Sequence, residues 1–329
     1  LQSPTSIAGK VRRAIPLFVA LAICAFTIHA VTWGAVIASL GRARMDYFLP
    51  LSACFVLVSY YIDCAGLWVL ILKSVMTAPF KEVILVRAVT QFAGSVNIWV
   101  GRLGMAFHYS RRSGLPMTYM IGVNVLLVYM DLACAFLFCG MVFRPAGGQL
   151  DTAMAVVTGS GLILLPLLLF SRMVSRWRLG DLKDQSIWYT RNGLRQFFAP
   201  LILMPFSDLL LLFVARVPHY PIRALYLVLA LRTFNVQIPV SQGLVAAVFT
   251  AIVASLPVTP LGFGLLQAAG LLILGVFGEG ADIVAALLMV SAMQFIGNIS
   301  FGLYYLKGGV ALMRSAPQEE KKPPSVDGG

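Results

Sequence analysis

The chain has 329 residues, 59% of them hydrophobic and 12% charged, with a mean hydropathy of +0.87. Soluble globular domains carry about 25% charged residues, so the composition excludes one and predicts an all-α integral membrane protein of about six to eight transmembrane helices. The net charge of +12 sits in short loops and no basic segment resembles a base-reading module, which excludes nucleic acid and points to anionic lipid beside a cytoplasmic face.

In chain order, residues 1–14 form a basic tail with Lys10, Arg12 and Arg13, read as cytoplasmic. The apolar run from Ile15 to about Leu40 is too long for a signal segment and suits a first span. Further spans are expected at 48–72, 117–143, 153–171, 197–215 and 281–306, with less regular stretches at 82–112 and 223–278. Loop 172–196 carries six basic residues against Asp181 and Asp184, a net of +4, and reads as cytoplasmic. Loop 144–152 holds only Arg144 and Asp151 and reads as external. One polytopic domain at 15–306 is thus expected, followed by a tail at 307–329 whose Pro, Lys and Glu content suits disorder at the cytoplasmic face. Both termini are then cytoplasmic.

Charge parity constrains the irregular stretches. Lys73 and Lys81 precede the first, and Arg102, Arg111 and Arg112 follow it, so segment 82–100 must enter and leave on one side. The second must open outward to deliver the chain to span 281–306. It contains Pro257, Pro260, Gly262 and Gly264 between apolar runs. Backbone groups freed by such residues cost several kcal/mol each in hydrocarbon, so a broken backbone at that depth is held in protein or lines a wet cavity. A re-entrant hairpin or a discontinuous helix satisfies this. Val100-Gly101-Arg102-Leu103-Gly104 echoes Pro260-Leu261-Gly262-Phe263-Gly264 at an offset of 160 residues, placing Asn97 opposite Pro257. Two readings stand: chance, or an inverted repeat with its binding site near the midplane.

Ionisable groups inside a membrane are costly and become functional candidates. Asp63, Asp131 and Asp208 fall in expected spans. Asn124 and Asp131 share a helical face, as do Arg87 and Gln91 with Gly94 and Ser95, and Gln294 with Asn298. The alternative for each is a plain interhelical hydrogen bond. Arg102, His108, Arg111 and Arg112 follow the first break, either as a cationic site for a lipid phosphate or as a positive-inside loop. His29 reads as a packing residue. The five cysteines, Cys24, Cys54, Cys64, Cys134 and Cys139, lie in apolar runs and read as core thiols. No zinc, serine-hydrolase or Walker A motif occurs, so no catalytic residue, metal or cofactor is expected. Transport, if any, would be passive or gradient-driven.

Residues 256–272, LPVTPLGFGLLQAAGLL, resemble the signature Leu-Pro-Ile-x-Pro-Gly-Gly-Leu-Gly-x-x-Glu of the flippase-like membrane domain. That domain is the transmembrane region of lysylphosphatidylglycerol synthases (multiple peptide resistance factors) and of stand-alone relatives. Leu256, Pro257, Pro260, Gly262 and Gly264 match. A second family motif, Gly-Arg-Leu-Gly-Glu-x-x-Arg with a following basic pair and an Arg-x-x-Asp element, is matched by Gly101, Arg102, Leu103, Gly104, Arg111, Arg112 and Asp131. The departures are Leu261, Gln267, Met105, His108 and Val128. The resemblance covers about residues 10–310 and implies movement of a polar-headed phospholipid or lipid-linked substrate between leaflets of a bacterial or archaeal plasma membrane. The candidate substrate-binding set is Arg87, Gln91, Asn97, Arg102, His108, Arg111, Arg112, Asp131 and Gln267. Gly101, Gly104, Pro257, Pro260, Gly262 and Gly264 form the structural motif. The 23 residues after Leu306 are too few for the synthases' soluble aminoacyl-transfer domain. The missing charges keep an alternative open, a non-transporting membrane scaffold that partners a lipid- or glycan-modifying enzyme.

Overall fold

The computed structural model describes residues 31–95, 98–142, 193–255 and 264–315. Among the described residues the fold is helical throughout, with no strand. The expected segments before residue 31 and at 153–171, with most of loop 172–196, lie outside them. Three helices provide the long apolar crossings. They are α2 (Met45–Ser74), α5 (Met117–Val142) and α11 (Gly280–Ser315), with the short α1 (Trp33–Arg42) preceding them. At 1.5 Å per residue, α2 runs about 45 Å and α11 about 54 Å, both longer than the roughly 30 Å hydrocarbon core. Helix α11 continues past the expected end at Leu306, because Gly308 and Gly309 lie against Leu85 and keep its last turns packed on the neighbouring helix.

Helices α3 (Phe80–Gly94) and α4 (Ile98–Ser113) form the first broken segment. Each is about 22–24 Å long, too short to cross. They run antiparallel: Glu82 of α3 reaches Arg112 near the end of α4, while Gly94 meets Gly101 at the other end. The chain therefore returns to the side from which it entered, in line with the parity of its basic flanks. The exposed residues Val100, Leu103 and Phe107 share one face of α4, the lipid face of the hairpin.

The break is shorter than the sequence suggests. Gly101, Arg102, Leu103 and Gly104 lie within α4, which begins at Ile98. Gly101 serves helix contact and not chain reversal: a Cβ there would stand 2.9 Å from Gly94 Cα. Gly264, by contrast, opens α10 (Leu265–Leu274) at φ +82°, a conformation that favours glycine. Gly101 and Gly264 thus do different work.

Two expectations for the second half change. Span 197–215 is broken at Met204-Pro205, where α6 (Gly193–Leu203) and the following helix meet at 92°. Pro205 has no amide hydrogen and disfavours helical geometry at Met204, so the helix restarts. The apolar run then continues through α7 (Phe206–Arg216) and α8 (His219–Thr233), well into the stretch expected to be irregular. Arg232, Asn235 and Gln237, which make a poor lipid-facing span, are exposed at the far end of α8 and in the turn beyond it. Helix α9 (Val240–Ser255) follows and packs on α10, forming the second pair. Pro257, Pro260 and Gly262 lie between them in sequence, outside the described residues. Both α3 and α10 dock on α11.

The buried apolar residues divide between two main clusters. One joins α1, the first half of α2, α8, α9, α10 and α11 around Phe48, Phe55, Leu231, Phe234 and Ile283. The other joins the second half of α2 with α3 to α7 around Leu67, Leu70, Val83, Met105, Tyr109 and Leu212. Asp63 sits on α2 between Phe55 of the first and Leu67 of the second. Cys64 and Cys134 are buried as expected, whereas Cys54 is exposed on the apolar surface.

Candidate functional site

The charged residues meet at that division. Arg87 of α3 places Nε and Nη2 each 2.6 Å from Asp63 Oδ2. Arg216, at the end of α7, donates from Nη1 to Asp63 Oδ1 at 2.8 Å and from Nε to Asp131 Oδ1 of α5 at 2.5 Å. The result is a chain of ion pairs, Arg87–Asp63–Arg216–Asp131, that links four helices and carries no net charge. Arg216 is only 2% exposed. Gly66, three residues after Asp63, makes its slot: a Cβ there would lie 3.1 Å from Arg216 Nη1. An isolated charge in this setting is costly, and each group here is held by an opposite one.

Arg102 of α4 is half-buried and within electrostatic reach of Arg87, Asp63 and Asp131. Together the five side chains carry one excess positive charge. His219, on the next helix, also faces Arg216 and Asp63, and its Nδ1 is buried with no hydrogen-bond partner among the described residues.

The other expected residues separate into smaller sets. Gln91 Nε2 donates to Asn298 Oδ1 at 2.8 Å and ties α3 to α11. Asn124 donates to the Met120 carbonyl of its own helix, so it does not join Asp131. His108 and Arg112 turn to Glu82 at the base of the hairpin, with His108 Nε2 3.5 Å from Glu82 Oε1, long for a hydrogen bond. Arg111 is exposed, its guanidinium 5.6 Å from the Phe107 ring centre. The four basic residues of α4 therefore do not converge on one point; Arg102 alone faces the ion-pair chain. Asp208 pairs with Lys73 at 3.1 Å, apart from the chain. Gln267 is buried, and its Oε1 accepts from the Gly264 amide at 2.6 Å while Nε2 lies 3.4 Å from Ser291 Oγ. Asn97 and His29 lie outside the described residues.

The sequence profile of the lysylphosphatidylglycerol synthase TM region matches residues 13–302, a range that includes both helix pairs and all five charged residues above. The chain belongs to the lysylphosphatidylglycerol synthase TM region family. The resemblance carried by the two glycine-bearing motifs is thereby confirmed, and the chain is a membrane domain of a family associated with lipid handling. No curated protein matches the chain. Within this family member, two residues that the sequence did not single out stand closest to the chemistry. They are Arg216, the hub of the ion-pair chain, and Arg223 of α8. Their spacing of seven, which puts them on one helical face, was the available signal, but both lie beyond the expected end of span 197–215.

Proposed function

We propose that this domain moves a polar-headed phospholipid or a lipid-linked substrate between leaflets. The observation that carries the reading is the Arg87–Asp63–Arg216–Asp131 chain, placed between two apolar clusters and flanked by the α3–α4 hairpin. A bare phosphate moved from water into hydrocarbon meets a penalty on the order of 20 kcal/mol by Born reasoning. A row of paired charges lowers it by exchange: the phosphate takes the place of Asp63 on Arg216, and Asp63 keeps Arg87 as its cation. No step then leaves a charge without a partner. The α3–α4 hairpin opens this path from the cytoplasmic side and the α9–α10 pair from the opposite side.

The test is lipid scrambling in reconstituted vesicles, read by dithionite quenching of a labelled phospholipid, for the wild-type domain and Asp131→Ala. Movement by the wild type and its loss in Asp131→Ala is the expected result; no movement in either defeats translocation. Gln267 favours a second reading, the non-transporting partner of a lipid- or glycan-modifying enzyme. Where the resembling motif has a glutamate, both polar ends of this amide are engaged by Gly264 and Ser291. A silent wild type in the same assay selects that reading.

A further inference from the structure

Arg223 stands outside the ion-pair chain. Arg223 lies seven residues after Arg216 on the same helical face. Among the described residues it has no ion pair and no hydrogen bond. The acid within its electrostatic reach is Asp131, which is already held by Arg216 at 2.5 Å. Arg223 lines a pocket between α8, α2, α11 and the α9–α10 pair, with Phe55, Tyr226, Thr250, Ser291 and Gln294 among its walls. An unpaired guanidinium in a membrane protein is expensive to keep unless something binds it.

The pocket is built and not merely left over. The Phe55 and Tyr226 rings stack at 3.9 Å between centres, and the Tyr226 hydroxyl is fixed by Ser52 at 3.0 Å. Thr250 and Ser291 donate their hydroxyl hydrogens to the Ala247 and Leu287 carbonyls, so both can only accept from a group in the pocket, Ser291 with the lone pair that Gln267 leaves. Arg223 and the Gln294 amide are left as donors. About 40 Å³ of the pocket can hold the centre of a water molecule, space for roughly three waters at about 10–15 Å³ each. That suits one oxyanion and is too small for a whole lipid.

We propose that Arg223 and Gln294 form an anion subsite beside the α9–α10 pair, distinct from the ion-pair chain, that takes a single phosphate- or carboxylate-sized group. Guanidinium geometry favours such a group, because its fork of N–H donors matches two oxygens at once. The oxygens of Thr250 and Ser291 add selectivity for an anion that carries its own hydrogen-bond donor, such as a hydroxylated headgroup or a protonated phosphate. The anion can come from a phospholipid or from free phosphate. The site rests on the lipid-handling reading only for the former source, and its test reads binding and not transfer.

The experiment is thermal unfolding of the purified domain in neutral detergent, with phosphatidylglycerol, phosphatidylcholine or inorganic phosphate titrated in. The variants are Arg223→Met and Arg223→Gln. Phosphatidylglycerol is expected to raise the wild-type midpoint at concentrations at least tenfold below those at which either variant responds, with phosphatidylcholine weaker. Without added lipid, Arg223→Met is expected to melt about 2 °C or more above wild type, since it removes an unpaired charge. A response to inorganic phosphate that is lost in both variants, with none to phosphatidylglycerol, keeps the site and assigns it a free anion. An unchanged lipid response in both variants, or no anion response in the wild type, overturns the proposal. Arg223→Gln keeps the comparison open where Arg223→Met does not fold. A scrambling failure with intact anion binding rejects translocation and leaves the subsite standing.

Discussion

Arg216 makes a sharp prediction because it is shared. Arg216→Met keeps the length of the side chain and removes the guanidinium, so Asp63 retains Arg87 while Asp131 loses its hydrogen-bonded cation. Two unit charges about 4 Å apart at an effective permittivity near 20 attract by about 4 kcal/mol, and Arg216 makes two such contacts, at 2.8 and 2.5 Å. Part of this returns as desolvation no longer needed, and removal of one partner of a buried pair typically costs about 3–5 kcal/mol. Asp131→Asn alone is expected to cost about 1–3 kcal/mol, since the amide still accepts a hydrogen bond. Once Arg216 is gone, the same change relieves a half-buried carboxylate that has lost its hydrogen-bonded cation. The double variant should therefore be more stable than the sum of the single losses by about 1–3 kcal/mol. Reversible unfolding in mixed micelles, followed by helical circular dichroism, measures all four corners of the cycle. Additivity within about 0.5 kcal/mol would refute the ion-pair chain. A fourfold variant, Asp63→Leu, Arg87→Met, Asp131→Leu and Arg216→Met, separates structure from function. Apolar replacement of a complete buried network is often neutral or stabilising, so it should fold and fail to scramble lipid.

Three smaller changes test the surrounding frame. Gly101→Val would push a side chain into Gly94, 2.9 Å from its Cα, and should lower stability by about 1–3 kcal/mol, whereas Gly104→Ala, whose nearest neighbour is Thr90 Cγ2 at 3.5 Å, should leave the melting midpoint unchanged. Gln91→Leu removes the link to Asn298 and should cost about 0.6 kcal/mol in the same unfolding assay, the usual size of an interhelical hydrogen bond in a membrane. Gln267→Leu should cost about 1 kcal/mol, as the loss of a cap does, and hasten amide exchange at Gly264, while Gln267→Glu keeps the accepting oxygen and the slow exchange.

Hydropathy and basic-residue parity made α2, α5, α11 and the one-sided α3–α4 hairpin legible, because both signals are local sums that tolerate errors of several residues. Glycine was less legible, since it answers two needs. At Gly264 it supplies a positive φ where a helix begins, and at Gly101 it lets two helices touch; the letter alone does not say which. The expected single span at 197–215 does not hold because Pro205 restarts the helix within an apolar run. Arg216 and Arg223 both lie beyond the expected end of that span. Their meaning also depends on partners far along the chain. Arg216 and Asp63 are 153 residues apart, and a scan for intramembrane charge meets each of them singly.

Pairing also bears on the charges that this chain lacks relative to the motifs it resembles. Met105 replaces an acid and is buried at 2% exposure within the second apolar cluster, where an unpaired carboxylate would be penalised. Gln267 replaces another acid and is occupied as a cap. Neither position touches Arg87 or Arg216, whose carboxylate partners are Asp63 and Asp131. The two neutral residues therefore sit apart from the ion-pair chain and leave it intact. A lipid phosphate exchanging along that chain would depend on Asp63 and Asp131, and not on the residues at positions 105 and 267.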